Sequence, residues 1–173
     1  MQRIRTLFFT LLLGLMVVGT ANAQRIAIVD IDAVLESMTE YEQAQAELDR
    51  IAAQWRQEIQ QEYDKIRSLY NKYQAEQVLL SEQAKAERQD AIMETEQQVR
   101  EMQKARFGPE GDLFQKRQDL VRPIQDQVFG AIKEYAEDRG YDFIFDKGGS
   151  AGLVFSNDEY DKTDDIKRKV GGN

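Results

Sequence analysis

Between Leu48 and Tyr73 the apolar positions fall at Leu48, Ile51, Trp55, Ile59, Tyr63, Ile66, Tyr70 and Tyr73, with mostly Gln, Glu, Lys, Arg and Asp between them. Their spacing averages about 3.6 residues, which predicts one narrow apolar face on a long α-helix. No Gly or Pro occurs between Asp30 and Gly108, so nothing in the backbone chemistry interrupts it. A stripe this narrow buries against one partner helix, and the chain supplies that partner itself. A second periodic run follows through Ile92, Thr95, Val99 and Met102, and then Leu113, Leu120, Ile124, Val128, Ala131 and Tyr135. Between the two runs, Val78-Leu79-Leu80-Ser81 breaks the pattern; Ser81 reads as an N-cap, with Glu82 beside the positive end of the new helix. The expectation is an antiparallel helical hairpin arm over residues 39–138, with its tip near 79–81. Ile66 should then lie opposite about residue 94, and the arm should reach about 45 Å from Leu48 to the tip at 1.5 Å per residue.

Two places conflict with helix. Gly108-Pro109-Glu110-Gly111 should kink the second helix or open a short loop, which makes it a hinge candidate. Its replacement by Ala is expected to straighten the helix and raise helicity. Pro123, within Leu120-Val121-Arg122-Pro123-Ile124, predicts a bend where the arm enters the body.

The residues on either side of the arm, 24–38 and 139–173, alternate differently and predict a small antiparallel β body. Arg25 to Asp32 reads as a strand apolar on both sides, followed by a helical run from Ala33 to Met38. Gly140 suits a left-handed helix end. Tyr141 to Asp146 then alternates with Tyr141, Phe143 and Phe145 on one face; Lys147 to Gly152 reads as a hairpin turn, and Leu153-Val154-Phe155-Ser156 as a third strand. Thr163 is placed to cap a short final helix that ends at Gly171. Three short strands make a sheet too small to stand alone, and its aromatic face needs a cover. Association of copies through Ile26, Ile28, Phe143, Phe145, Leu153 and Phe155 is the expected solution.

Met1 to Ala23 reads as a secretory signal, residues 1–23, rather than as fold. Arg3 and Arg5 precede the run Leu7 to Val18, and Ala21-Asn22-Ala23 supplies the small residues of a cleavage site. The twelve-residue apolar run falls short of the roughly 20 needed to span a bilayer. Removing this segment takes away two basic residues and no acid, leaving 21 basic against 31 acidic residues and a formal charge of −10. Such a balance argues against nucleic acid as a partner, because phosphate binding needs clustered Lys and Arg. It also leaves contact with an anionic membrane surface open, without charge attraction to drive it. With no Cys and no His, the chain has no disulfide framework and lacks the usual zinc and copper ligands. Asp30 and Asp32 read as a solvated strand end rather than a catalytic pair, and the glycines after Lys147 lack the Lys-Ser/Thr of a phosphate loop. No enzyme, cofactor or metal is expected.

Taken together, Arg25-Ile26-Ala27-Ile28-Val29-Asp30, the long polar hairpin, Leu120-Val121-Arg122-Pro123-Ile124 and Gly140-Tyr141-Asp142-Phe143-Ile144-Phe145-Asp146 resemble the Skp (OmpH) family of periplasmic chaperones across the whole mature chain. The resemblance implies a periplasmic homotrimer, with a β body and three helical arms, that encloses unfolded outer-membrane proteins without ATP. Familiar members are strongly basic and this chain is acidic, so lipopolysaccharide binding and charge attraction to acidic clients are not carried over. Such a holdase needs no catalytic residue, only weak apolar contacts that shield unpaired strands. Tyr63, Tyr70 and Tyr73 on the arm, and Val78, Leu79 and Leu80 at its tip, are the candidate client contacts. The tyrosines also fit the hairpin seam, whereas three consecutive apolar residues at a tip are harder to explain by packing. A structural coiled-coil envelope protein would share the arms, but it has no need of the sheet body.

Overall fold

The computed structural model describes residues 24–149 and 152–171. The expected signal segment, residues 1–23, lies outside them. Strand β1 (Ile26–Val29) leads into helix α1 (Ile31–Glu36) and then helix α2 (Thr39–Glu76). A 3₁₀ turn at Gln77–Leu79 reverses the chain into α3 (Glu82–Phe107), which is followed after a four-residue break by α4 (Asp112–Arg139). Strand β2 (Phe143–Asp146), a 3₁₀ turn at Asp158–Tyr160 and helix α5 (Thr163–Lys169) complete the described chain.

The arm is an antiparallel pair, α2 against α3 and then α4. Ser81 caps α3 by accepting a hydrogen bond from the Ala84 amide at 3.2 Å, satisfying one of the orphan donors at the helix start. Ile59 and Ile66 of α2 bury against Ile92 and Val99 of α3. Ala44 and Leu48 bury against Val121 of α4. Trp55 meets Phe107 edge to face, with ring centres 6.2 Å apart. The facing residues are close to those expected from a tip at 79–81. Pro123 does not break α4, which continues through it to Arg139. Pro123 and Asp119, whose carbonyl the ring leaves without its helical donor, are both exposed, so water can serve the orphan acceptor.

The body departs from the expected antiparallel sheet. Its two strands are parallel, with Ile26 paired to Phe143 and Val29 to Asp146. Parallel neighbours need a long crossover, and the whole arm is that crossover. The chain leaves the end of β1, returns through α4, and turns at Gly140, the left-handed helix end at φ 68°. The amide of Asp142 then donates to the Arg25 carbonyl at 2.8 Å, so β2 starts beside the start of β1. β1 is shorter than expected because Asp30 leaves the ladder to cap α1, accepting from the Ala33 amide at 2.9 Å.

The expected third strand, Leu153 to Ser156, is not a strand. The second edge of β1 is occupied instead by the residues before α5: Ile28 bridges to Asp161, and the Lys162 amide donates to the Ile28 carbonyl at 2.8 Å. Thr163 is the first residue of α5 rather than its cap. Its hydroxyl accepts from the Asp30 amide at 2.9 Å, and its own amide donates to Asp161 at the same distance. One compact core results, with Val29, Val34, Leu35, Met38, Val128, Tyr135 and Ile166 buried together. Each such aliphatic side chain contributes roughly 1.5–3 kcal/mol.

Candidate functional site

Two surfaces hold the sequence-expected functional residues, the outer arm and the far face of the sheet. On the arm, Tyr63 and Tyr70 stand one above the other, seven residues apart on α2, and both are exposed. The Tyr63 hydroxyl donates to Gln103 Oε1 of α3 at 3.3 Å, which fixes the flank of the hairpin on which they lie. Tyr73 differs. It is half-buried against the Ile59–Val99 cluster, and its hydroxyl accepts from Gln89 at 2.9 Å, as a seam residue should. At the tip Val78 and Leu79 are 83% and 86% exposed, while Leu80 is half-buried. The 3₁₀ turn presents the first two outward because no third element passes there.

Exposed apolar residues that the periodicity did not single out are Leu69, Met93, Phe114 and Phe129. Met93 follows the buried Ile92 and lies one helical turn from Gln89, on the flank shared with the tyrosines. Its phase relative to Ile92 was the available signal. Three basic residues of the arm are drawn into local pairs: Lys65 to Glu62 at 2.6 Å, Arg67 to Asp64 at 3.4 Å and Lys85 to Glu82 at 2.7 Å. These exposed i,i+3 pairs add little stability, but each offsets its own basic charge locally.

On the sheet, partner residues of parallel strands share a face, so Ile26, Ile28, Phe143 and Phe145 lie on one side. Phe143 and Phe145 stack at 6.3 Å and remain exposed, as does Ile26. Ile28 departs from the expected assembly set: it is buried within its own chain, where Asp161 and Lys162 close over its edge. Tyr141 also leaves the aromatic face and stacks on Tyr135 in the core at 5.9 Å. Beyond β2, Leu153 is half-buried, whereas Val154 and Phe155 are 97% and 79% exposed. The outer edge of β2 has no partner strand among the described residues.

Helix α5 clamps this body to the base of the arm. Tyr135 of α4 donates to Asp165 at 2.6 Å, and Lys169 pairs with Glu134 at 3.0 Å. The Tyr135 hydrogen bond, aided by Arg168, holds the Asp165 carboxyl below its ordinary value despite partial burial. Burial, followed by the bond to Asp165, pushes the Tyr135 hydroxyl up. A recess of about 370 Å³ between Asp30, Lys147, Asp158, Asp161, Thr163 and Asp164 is the most charged of the cavities described. Three of its charged groups are already engaged: Asp30 caps α1, and Asp161 pairs with Lys147 at 3.0 Å. Among the described residues no cluster of three or more His, Cys, Asp or Glu could hold a metal ion. None of their helices is long and apolar enough to cross a membrane.

The chain is thus one helical arm with an exposed apolar tip, joined to a small body with an uncovered aromatic face. The family comparison is specific: residues 25–170 match the family described as outer membrane protein (OmpH-like), and the chain belongs to it. The fold is similar to the crystal structure of an OmpH-like protein from Caulobacter crescentus, described there as a candidate outer membrane chaperone. That structure aligns with a TM-score of 0.71 at 13% identity, over 88% of this chain and 86% of the other. No curated protein matches the sequence.

Proposed function

We propose that the chain is an ATP-independent periplasmic holdase that assembles as a homotrimer through its sheet and encloses unfolded outer-membrane proteins between its arms. The observation that carries this reading is the pairing of two uncovered apolar surfaces, the tip and the Ile26-Phe143-Phe145 face, at the two ends of a polar arm. Family membership and the fold of the Caulobacter crescentus protein support it. The sheet face is where copies join, with Phe155 and the open edge of β2 beside it. The arm flank and tip are where clients touch, weakly and at many points. The action uses no catalytic residue, cofactor or nucleic acid.

The test joins mass to activity. Sedimentation of the mature chain at micromolar concentration should give a trimer, and the trimer should suppress aggregation of a denatured outer-membrane protein without ATP. Phe143→Asp places an unpaired charge in the joint, at a cost of several kcal/mol, and should yield monomers. A monomeric wild type would sink the assembly. A discrete trimer that leaves aggregation unchanged would favour the second reading, a structural coiled-coil envelope protein.

A further inference from the structure

We propose that the Gly108–Gly111 interruption is a locked joint rather than a hinge, with Arg106 as its latch. The sequence marks the segment as the break between α3 and α4, and a hinge there would need loose backbone and an unopposed side. Neither is present. α2 runs unbroken alongside from Thr39 to Glu76. Within the break the Gly108 amide donates to the Lys104 carbonyl at 2.8 Å, Gly111 to Gly108 at 3.0 Å, and Gln115 to Gly111 at 3.1 Å.

The glycines are required by space and not by φ, which is −64° at Gly108 and −73° at Gly111. A Cβ at Gly108 would collide with the Lys104 carbonyl oxygen, and one at Gly111 with that of Ala105. Alanine at either position therefore cannot keep the break in this conformation. Three helices then meet on one side chain. The Arg106 guanidinium, at the end of α3, lies 4.5 Å over the Trp55 ring of α2 and pairs with Asp112, the first residue of α4, at 2.7 Å. Phe107 adds its edge to the same buried indole. A planar cation satisfies both contacts at once, which an ammonium does not. The latch sets the direction in which the outer arm leaves the inner arm.

The chain has no Cys, so Asp90→Cys with Gln118→Cys gives a unique pair of exposed spin-label sites on either side of the joint. They are separated by about 40 Å at 1.5 Å per residue. Labelled chains are diluted with unlabelled ones, so that each assembly carries one pair. With the native joint the distance distribution should be single and narrow. Arg106→Gln and Trp55→Leu should each widen it at least twofold, and Arg106→Lys should widen it less than Gln. A native distribution as broad as those of the variants, or an Arg106→Gln distribution no wider than native, overturns the proposal. A native width with Arg106→Lys overturns the need for a planar cation, and a native width with Trp55→Leu overturns the role given to Trp55. The measurement needs no client, so it stands or falls apart from the chaperone reading.

Discussion

Val78 and Leu79 are the residues whose exposure packing does not explain. The body and the arm seam bury their aliphatic residues, and a turn of ordinary polar residues would connect α2 to α3 equally well. Because both side chains already face water, Val78→Ser/Leu79→Ser should leave thermal stability within about 0.5 kcal/mol, the usual range for surface changes. Holding of a denatured outer-membrane protein should nevertheless fall. Unfolding curves beside an aggregation assay make the comparison, and undiminished holding would remove the tip from the contact surface. Tyr63 and Tyr70 share the exposed flank with Met93, whereas Tyr73 is tied into the seam. Three tyrosines of one apolar series thus divide between two roles, and the period could not separate them. A stripe averaging 3.6 names a face, but the exact edge of that face depends on how closely the partner helix approaches.

At the level of elements, α5 decides whether the small body holds together. It delivers Ile166 into the core with no exposure, and it is fixed by the bond from Tyr135 to Asp165. Asp165 has a depressed carboxyl, so its contribution is present above its ordinary value of 3.8 and is lost as pH falls through the lower folded value. Tyr135 is raised, so its contribution is present below its ordinary 10.0 and is lost as pH rises beyond. Asp161, which burial alone would raise, is held down by its hydrogen bonds from Thr163 and then Lys147, and it acts in the same acid direction as Asp165. Thermal stability should therefore be flat between about pH 5 and 9 and should fall on the acid side. Asp165→Asn should cost about 1 kcal/mol at neutral pH, after allowance for its partial exposure, and should shallow the acid limb. Melting curves from pH 3 to 7 check this; an unchanged acid limb would assign it to other carboxylates. The long helices were legible because the 3.6 period repeats over dozens of residues, and Ser81 and Gly140 punctuate them with unambiguous chemistry. The body was not. Whether β1 and β2 run parallel is decided by where a crossover of more than a hundred residues returns the chain. The second edge of β1 went to Asp161 and Lys162, polar residues with no strand signal, while Leu153 to Phe155, which have one, pair with no strand among the described residues.

For the whole molecule the balance of charge becomes a mechanism. With residues 1–23 removed, each chain would carry a formal −10, so the proposed trimer would carry about −30, and its mean field would oppose the approach of an acidic unfolded chain. Of the local basic patches that would reverse that sign, Lys65, Arg67 and Lys85 are each paired with an acid on the preceding turn of the same helix, whereas Arg88 beside Lys85 is not in an ion pair among the described residues. The proposed holdase would then attract clients chiefly by apolar contact, through the tip, the Tyr63-Tyr70 flank and enclosure itself. Salt then distinguishes the driving forces. Between about 50 and 500 mM the Debye length shrinks about threefold, so long-range repulsion fades while apolar contact does not. Affinity for an acidic client should hold or rise across that range, measured by fluorescence anisotropy of a labelled, urea-diluted outer-membrane protein. A steep loss of affinity with salt would mean that Lys and Arg lead the capture. In that case Val78→Ser/Leu79→Ser should bind nearly as well as wild type, and the same titration on that variant reads out both alternatives.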